Sequence, residues 1–344
     1  MKILTNALVI SIIALTTSTS YSQISKKKYL RRNNKVESYK YGDSLIYSRG
    51  ICNIGTKLFV GNSNGSLYFI NTISEKSNII FKQDGFIEMR DVEYVDHHIL
   101  GMQSGDKGQL VRINLNGGIK VIKEKDWDSL FFDAMDFHGN RGFLMADPTE
   151  GRFNLFHTND GGLTWERTKA DVPAMKEEAG FAASGTNVQV LNDSTYVFIS
   201  GGEISKFYKS TNNGASWDQV VLPYYPGKST GPYSVCFAND SIGVMVGGDY
   251  RDPAIRLNTS FYTRDGGESW FNSIDTPRGY RSCVFFKNNI FYACGRNGID
   301  YSENNGQDWI PFADGTFFAL TSIENYLVAT ERDGRIKIFP LIEQ

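Results

Sequence analysis

Apolar and polar residues alternate along most of the chain in short runs, and each run ends at a Gly- or Asn-containing break. Thr56 to Val60 followed by Ser66 to Ile70, Tyr196 to Ser200 followed by Lys206 to Ser210, and Ile242 to Val246 followed by Ser260 to Thr263 all have the period of two that puts alternate side chains on opposite faces of a strand. Their spacing predicts antiparallel meanders. No useful helical period occurs, although Pro173 to Glu178 has room for one turn.

The meanders repeat. Segments starting at Ser48-Arg49, Met89-Arg90, Phe132-Asp133, Ala183-Ser184, Tyr233-Ser234, Tyr280-Arg281 and Phe317-Phe318 begin with an aromatic or small residue and run into a strand, and their second residues lie 41, 43, 51, 50, 47 and 37 positions apart. A four-stranded propeller blade takes about 40 to 50 residues. Seven copies therefore predict an all-β, seven-bladed β-propeller over residues 36–340. The last copy holds only three strands, Phe317 to Ile323, Tyr326 to Thr330 and Arg335 to Phe339. Its fourth is expected from Val36 to Ile46, which would close the ring and remove its free edges.

A second repeat lies on top of the first. Thr158 to Trp165, Ser210 to Trp217 and Thr263 to Trp270 spell hydroxyl, any, Asp or Asn, any, Gly, any, hydroxyl, Trp, and Ser302 to Trp309 differs only in Asp308. Asp160, Asn212, Asp265 and Asn304 can accept backbone N–H bonds inside a turn, while the glycine supplies positive φ. Trp165, Trp217, Trp270 and Trp309 are then expected to pack between neighbouring sheets. This is the Asp-box, a motif of architecture rather than of catalysis.

Composition excludes several functions. The 36 basic and 38 acidic residues give a net charge of −2, too little field to hold nucleic acid or an anionic membrane. Lys2, the apolar stretch Ile3 to Leu15 and the small polar run to Ser22 have the order of a secretory signal, with cleavage expected after Ser22. The expected organisation is a signal peptide at 1–22, a linker at 23–35, one propeller and a tail at 341–344, in a monomer exported to the periplasm or beyond. The mature charge would be 35 − 38 = −3. No later segment is long and apolar enough to span a membrane.

Candidate chemistry is sparse. Gly61 to Gly65 spells a nucleophile elbow but sits between two strands, not on a strand-to-helix turn. His97, His98, His138 and His157 lack zinc-ligand spacing, and no nucleotide-binding glycine loop occurs, so no metal, cofactor or catalytic residue is expected. Cys52, Cys236, Cys283 and Cys294 lie in strand-like surroundings. A hairpin turn at Asn288-Asn289 would set Cys283 opposite Cys294, either as two small core residues or as a strained local disulfide.

The aligned inner positions are more informative, because in a closed ring they converge on one channel mouth. Arg49, Arg90 and Arg281, rimmed by Asp133, Tyr280, Asp249 and Tyr250, would form planar cationic forks suited to an anionic group. The alternative is that Arg90 and Arg281 pair with Asp91 and Asp133 to hold the inner strands. Loops at 147–150, 170–181, 223–232 and 247–253 are expected around the same mouth.

Phe131-Phe132-Asp133-Ala134-Met135, Gly180 to Thr186, Gly247-Gly248-Asp249-Tyr250 and Gly279-Tyr280-Arg281-Ser282, together with the boxes, resemble the BNR-repeat propellers related to photosystem II assembly factors. The resemblance covers roughly residues 45–339 and implies a binding scaffold for a partner protein, peptide or anionic glycan. Sialidases share the box, and a sialidase-like glycosidase would use Arg49, Arg90 and Arg281 with Tyr280 and Asp133. Blade one, however, reads Ser48-Arg49-Gly50-Ile51, without the Phe/Tyr-Arg-Ile-Pro segment of those enzymes.

Overall fold

The computed structural model describes residues 36–342 apart from Ser44, Asp84 and Phe86. The expected signal peptide and linker lie outside the described residues. Seven antiparallel sheets follow one another along the chain, and blade one shows the pattern: Ser48–Ile54 innermost, then Lys57–Asn62, Leu67–Asn71 and Lys76–Phe81. Blade seven takes Leu320–Ile323, Tyr326–Thr330 and Arg335–Pro340 from the C-terminal end. Its outer strand is Glu37–Lys40, with Glu37 opposite Ile338 and Lys40 opposite Arg335. The ring is thus closed by a strand from the other end of the described chain.

The alternating pattern folds this way because the middle strands are covered on both faces. In Lys57–Asn62, Leu58 and Val60 pack with Ile323, Val328 and Ile336 of blade seven, whereas Phe59 points the other way onto Met89, Val92 and Ile99 of blade two. One strand therefore feeds two cores. The same division recurs around the ring, so that each of the seven blade interfaces has its own hydrophobic cluster.

The four Trp-closed turns use one set of bonds. Asp160 Oδ1 accepts the Leu163 and Thr164 N–H groups at 2.9 and 3.0 Å, and Thr158 Oγ1 accepts the Gly162 N–H at 3.1 Å. Asp265 accepts Ser269 N–H at 3.0 Å, Asn212 accepts Ser216 N–H at 2.9 Å and Asn304 accepts Asp308 N–H at 3.0 Å. The fourth copy keeps its closure with polarity reversed, since the Asn304 amide donates to the Asp308 carboxylate at 2.7 Å where Thr164 donates to Asp160 at 2.6 Å. Each Trp then sits between its own blade and the preceding one. Trp217 packs 5.5 Å from Phe143 of blade three and 5.1 Å from Phe198 of blade four, and Trp309 donates Nε1–H to Ser260 of blade five at 3.0 Å.

Three local expectations are corrected. Pro173 to Glu178 is not helical, and the helical turn among the described residues is Lys125–Trp127. Glu178 is instead drawn into the core, where it accepts bonds from Ser200 at 2.6 Å, Tyr208 at 2.6 Å and Lys206 at 3.1 Å. Ala183 to Asn187 is not a strand, because Gly185 takes φ +72° and the hydroxyls on either side bond across the channel. Leu341 and Ile342 are no free tail: the Leu341 N–H bonds Asn325 O at 2.9 Å and both pack against blade seven. Cys283 does face Cys294, with Lys287 opposite Ile290, and of the two readings the pair is the core one: both are buried free thiols, and Cys52 and Cys236 are free as well.

Candidate functional site

The inner strands of blades one, two and three each carry a bulge at the aligned position, leaving Arg49, Arg90 and Asp133 unpaired in the ladder. A bulge re-aims its side chain. In blade five the bulged residue is Tyr233, one position before the Ser234 that spacing alone selects. The bulges turn Arg49, Arg90 and Tyr233 toward one mouth, where they line an open cavity of about 330 Å³ with Phe181, Tyr280 and Arg296.

Aromatic rings build this cavity and hold its cations. Phe181 stacks on Tyr233 at 4.5 Å, and Tyr280 meets Tyr233 edge-on at 4.9 Å. The Arg49 guanidinium lies 5.0 Å from the centre of the Tyr47 ring, Arg90 lies 5.0 Å from Phe131, and Arg296 lies 5.8 Å from Tyr250. Such contacts orient a guanidinium without neutralising it. Glu88 is the nearby counter-ion, 2.6 Å from Arg90 and 4.0 Å from Arg49, and it also accepts the Tyr47 hydroxyl. Burial lowers the Arg90 pKa, Arg49 lowers it further and Glu88 opposes both. Three arginines against Glu88 and the Asp147 carboxyl beneath the roof leave an excess of positive charge.

The arginines also hold the roof. Arg49 Nη1 donates to Ala183 O at 3.0 Å and Arg90 Nη1 donates to Ala182 O at 2.7 Å, tying blades one and two to the blade-four segment across the mouth. That segment rests on two carboxyl groups. Asp147 accepts the Gly180 N–H at 3.0 Å, and a Cβ on Gly180 would fall 2.4 Å from the Asp133 carboxyl, so only glycine fits there. Asp133 is fully buried, and burial together with Asp147 raises its pKa well above the ordinary range. It lies beneath the mouth and not on its rim.

Arg281 departs most from expectation. It is completely buried, and it donates Nε–H to Asp300 at 2.9 Å, a second guanidinium N–H to the same carboxylate, and Nη1–H to Tyr280 O at 2.9 Å. Asp300 also takes Arg278 Nε–H at 2.7 Å. The third arginine at the mouth is Arg296 instead. Neither pairing offered as the alternative forms: Arg90 pairs with Glu88, and Asp91 accepts the Val92 and Met135 N–H groups at 2.8 and 2.9 Å. Tyr280 and Tyr250 do line the cavity, whereas Asp249 turns back to accept Arg251 N–H at 2.8 Å. Arg296 escapes the repeat because it follows the second strand of blade six; its only sequence signal is the Gly295 to Gly298 hairpin that returns the chain to the same end.

Below the mouth the channel is plugged. Ser184 donates to Ser282 O at 2.7 Å, Thr186 shares a bond with Ser234 at 2.6 Å, and Ser234 accepts the Val284 N–H at 2.8 Å. Blades four, five and six are thereby joined across the axis, separating the upper cavity from a second one.

Fold and site together define a seven-bladed β-propeller with a cationic, aromatic-lined mouth. The chain is similar in structure to virginiamycin B lyase from Staphylococcus aureus (TM-score 0.65, 15% identity, covering 90% of this chain and 99% of that one) and to the WD40 β-propeller domain of Doa1 (TM-score 0.63, 9% identity, 88% and 95%). The computationally designed Ika8 protein matches with a TM-score of 0.56 at 12% identity over 88% of this chain and 99% of its own. At these identities the likeness is one of fold. No protein-family profile and no curated protein sequence matches the chain.

Proposed function

We propose that the protein is an exported, non-catalytic binding propeller that captures an anionic group of a partner protein, peptide or glycan at the channel mouth. The observation carrying this reading is the convergence of Arg49, Arg90 and Arg296 on one aromatic-walled cavity of a size that ligand pockets have. Arg296 is exposed and has no carboxylate partner among the described residues, so a planar anion has an open fork to meet. The connection into blade four, the blade-four to blade-five connection and the long blade-five loop expose Met175, Tyr225, Ile255 and Leu257, which favours a protein or peptide partner over a glycan. The resemblance to BNR-repeat assembly factors and the leader-like N-terminus support the same reading. The sialidase-like alternative loses its third arginine to Asp300, and its tyrosine nucleophile would be Tyr280, whose pKa burial raises further from neutrality.

The test is titration of the mature protein with an acidic peptide, its amidated counterpart and a sialylated oligosaccharide, with hydrolysis followed in parallel. Binding of the acidic peptide, weakened tenfold or more in Arg296→Gln and Arg90→Gln, is expected without turnover. Equal binding of the amidated peptide, or glycan hydrolysis lost in Tyr280→Phe, would overturn the reading.

A further inference from the structure

The far side of the plug holds a second cavity of about 480 Å³, to which the inner strands of all seven blades contribute. It differs from the mouth in chemistry. Its carboxylates are Glu93 and Asp136, and no Lys, Arg or His is among the described residues that line it. Tyr94, Phe237, Phe285 and Phe286 supply the walls.

The acids are not equivalent. Asp136 is committed to the fold, accepting the Val190 N–H at 2.6 Å and joining blade three to blade four. Asp91, behind the wall, is held by two backbone N–H groups. Glu93 faces the cavity with no hydrogen bond or ion pair among the described residues, and burial followed by repulsion from Asp91 and Asp136 pushes its carboxyl well up. With no counter-charge in the wall, the empty chamber holds Glu93 as the neutral acid, and an entering cation supplies the charge that lets it ionise.

We infer that this second chamber is a binding site for an organic cation, an alkylammonium or guanidinium group that pairs with Glu93 and lies against the aromatic walls. A hard metal ion is the poorer fit. Ca²⁺ takes about six or more oxygen ligands, usually several of them carboxylate, and no group of three or more His, Cys, Asp or Glu side chains is found among the described residues. An amine or guanidinium needs less: one carboxylate for charge and ring faces for its desolvated stem. This site is separate from the anion-binding mouth and does not depend on that reading.

Two probes distinguish a free amine from a protein side chain: agmatine, and the blocked tripeptide Ala-Arg-Ala, each titrated calorimetrically into the full mature chain beside neutral 1-pentanol. Agmatine binding alone identifies a small-molecule amine site, and tripeptide binding identifies a site for a basic side chain; either supports the inference. Glu93→Gln, with its fold checked by near-ultraviolet circular dichroism, is expected to weaken binding at least tenfold. Glu93→Lys, which brings its own cation, should abolish binding. Failure of both probes to bind, equal binding of 1-pentanol, or binding in Glu93→Gln within twofold of the parent overturns it.

Discussion

Replacing Asp300 by Asn tests whether the Arg281 cluster is structural. Asp300 is buried beneath two guanidiniums, and without its charge Arg281 keeps only neutral acceptors, the Tyr280 carbonyl and at most the amide oxygen of the new side chain. An orphaned buried charge of this kind costs about 3–5 kcal/mol. Arg281→Met is the milder change, because Asp300 retains Arg278 Nε–H at 2.7 Å and the Arg278 backbone N–H at 3.0 Å. Lost hydrogen bonds and imperfect repacking there come to about 1–3 kcal/mol. With roughly 2.1 cal/mol/K of unfolding entropy per residue, a propeller of about 300 residues shifts by about 5–8 °C for Asp300→Asn and about 2–5 °C for Arg281→Met. Thermal and urea unfolding measure both, and acidic-peptide titration of Arg281→Met supplies the second readout. A larger loss in Arg281→Met than in Asp300→Asn, or lost peptide binding at unchanged stability, would refute the assignment.

Trp217→Ala removes a wedge between blades three and four and should cost about 3–5 kcal/mol while leaving peptide binding intact; urea unfolding beside titration checks this. The protein should lose stability as pH rises. Burial pushes Asp147 and Asp136 up to about 6, and a raised carboxyl contributes stability that is complete below its unfolded value near 3.9 and disappears as pH rises through the folded one. Unfolding midpoints should therefore decline from pH 4 toward 6.5, and Asp147→Asn should flatten part of that slope; an unchanged slope would count against the shared carboxyl pair under Gly180.

Blades and their joints are legible in the sequence. Strand alternation, the spacing of the aligned inner starts and the four Trp-closed turns are local: each follows from a period of two, a positive-φ glycine, or a side chain reaching a backbone N–H within its own octet. The expected outer strand at the N-terminal end was legible too, because three strands in the last repeat leave an edge that must be paired. The register of Cys283 against Cys294 followed from one Asn-Asn turn.

What converges on the axis was decided only in three dimensions. Arg49 and Arg281 occupy equivalent positions in the repeat, yet one reaches the mouth between Tyr47 and the Ala183 carbonyl while the other is closed in by Asp300, which lies 19 residues further along the chain. Arg296 reaches the mouth from a different strand, and Asp133 is covered by a glycine 47 residues away. Spacing gives a side chain's level in the ring, whereas its function depends on the neighbours that fill the surrounding volume. Those neighbours come from other blades, so the split of one channel into a cationic and an acidic chamber arises only on closure.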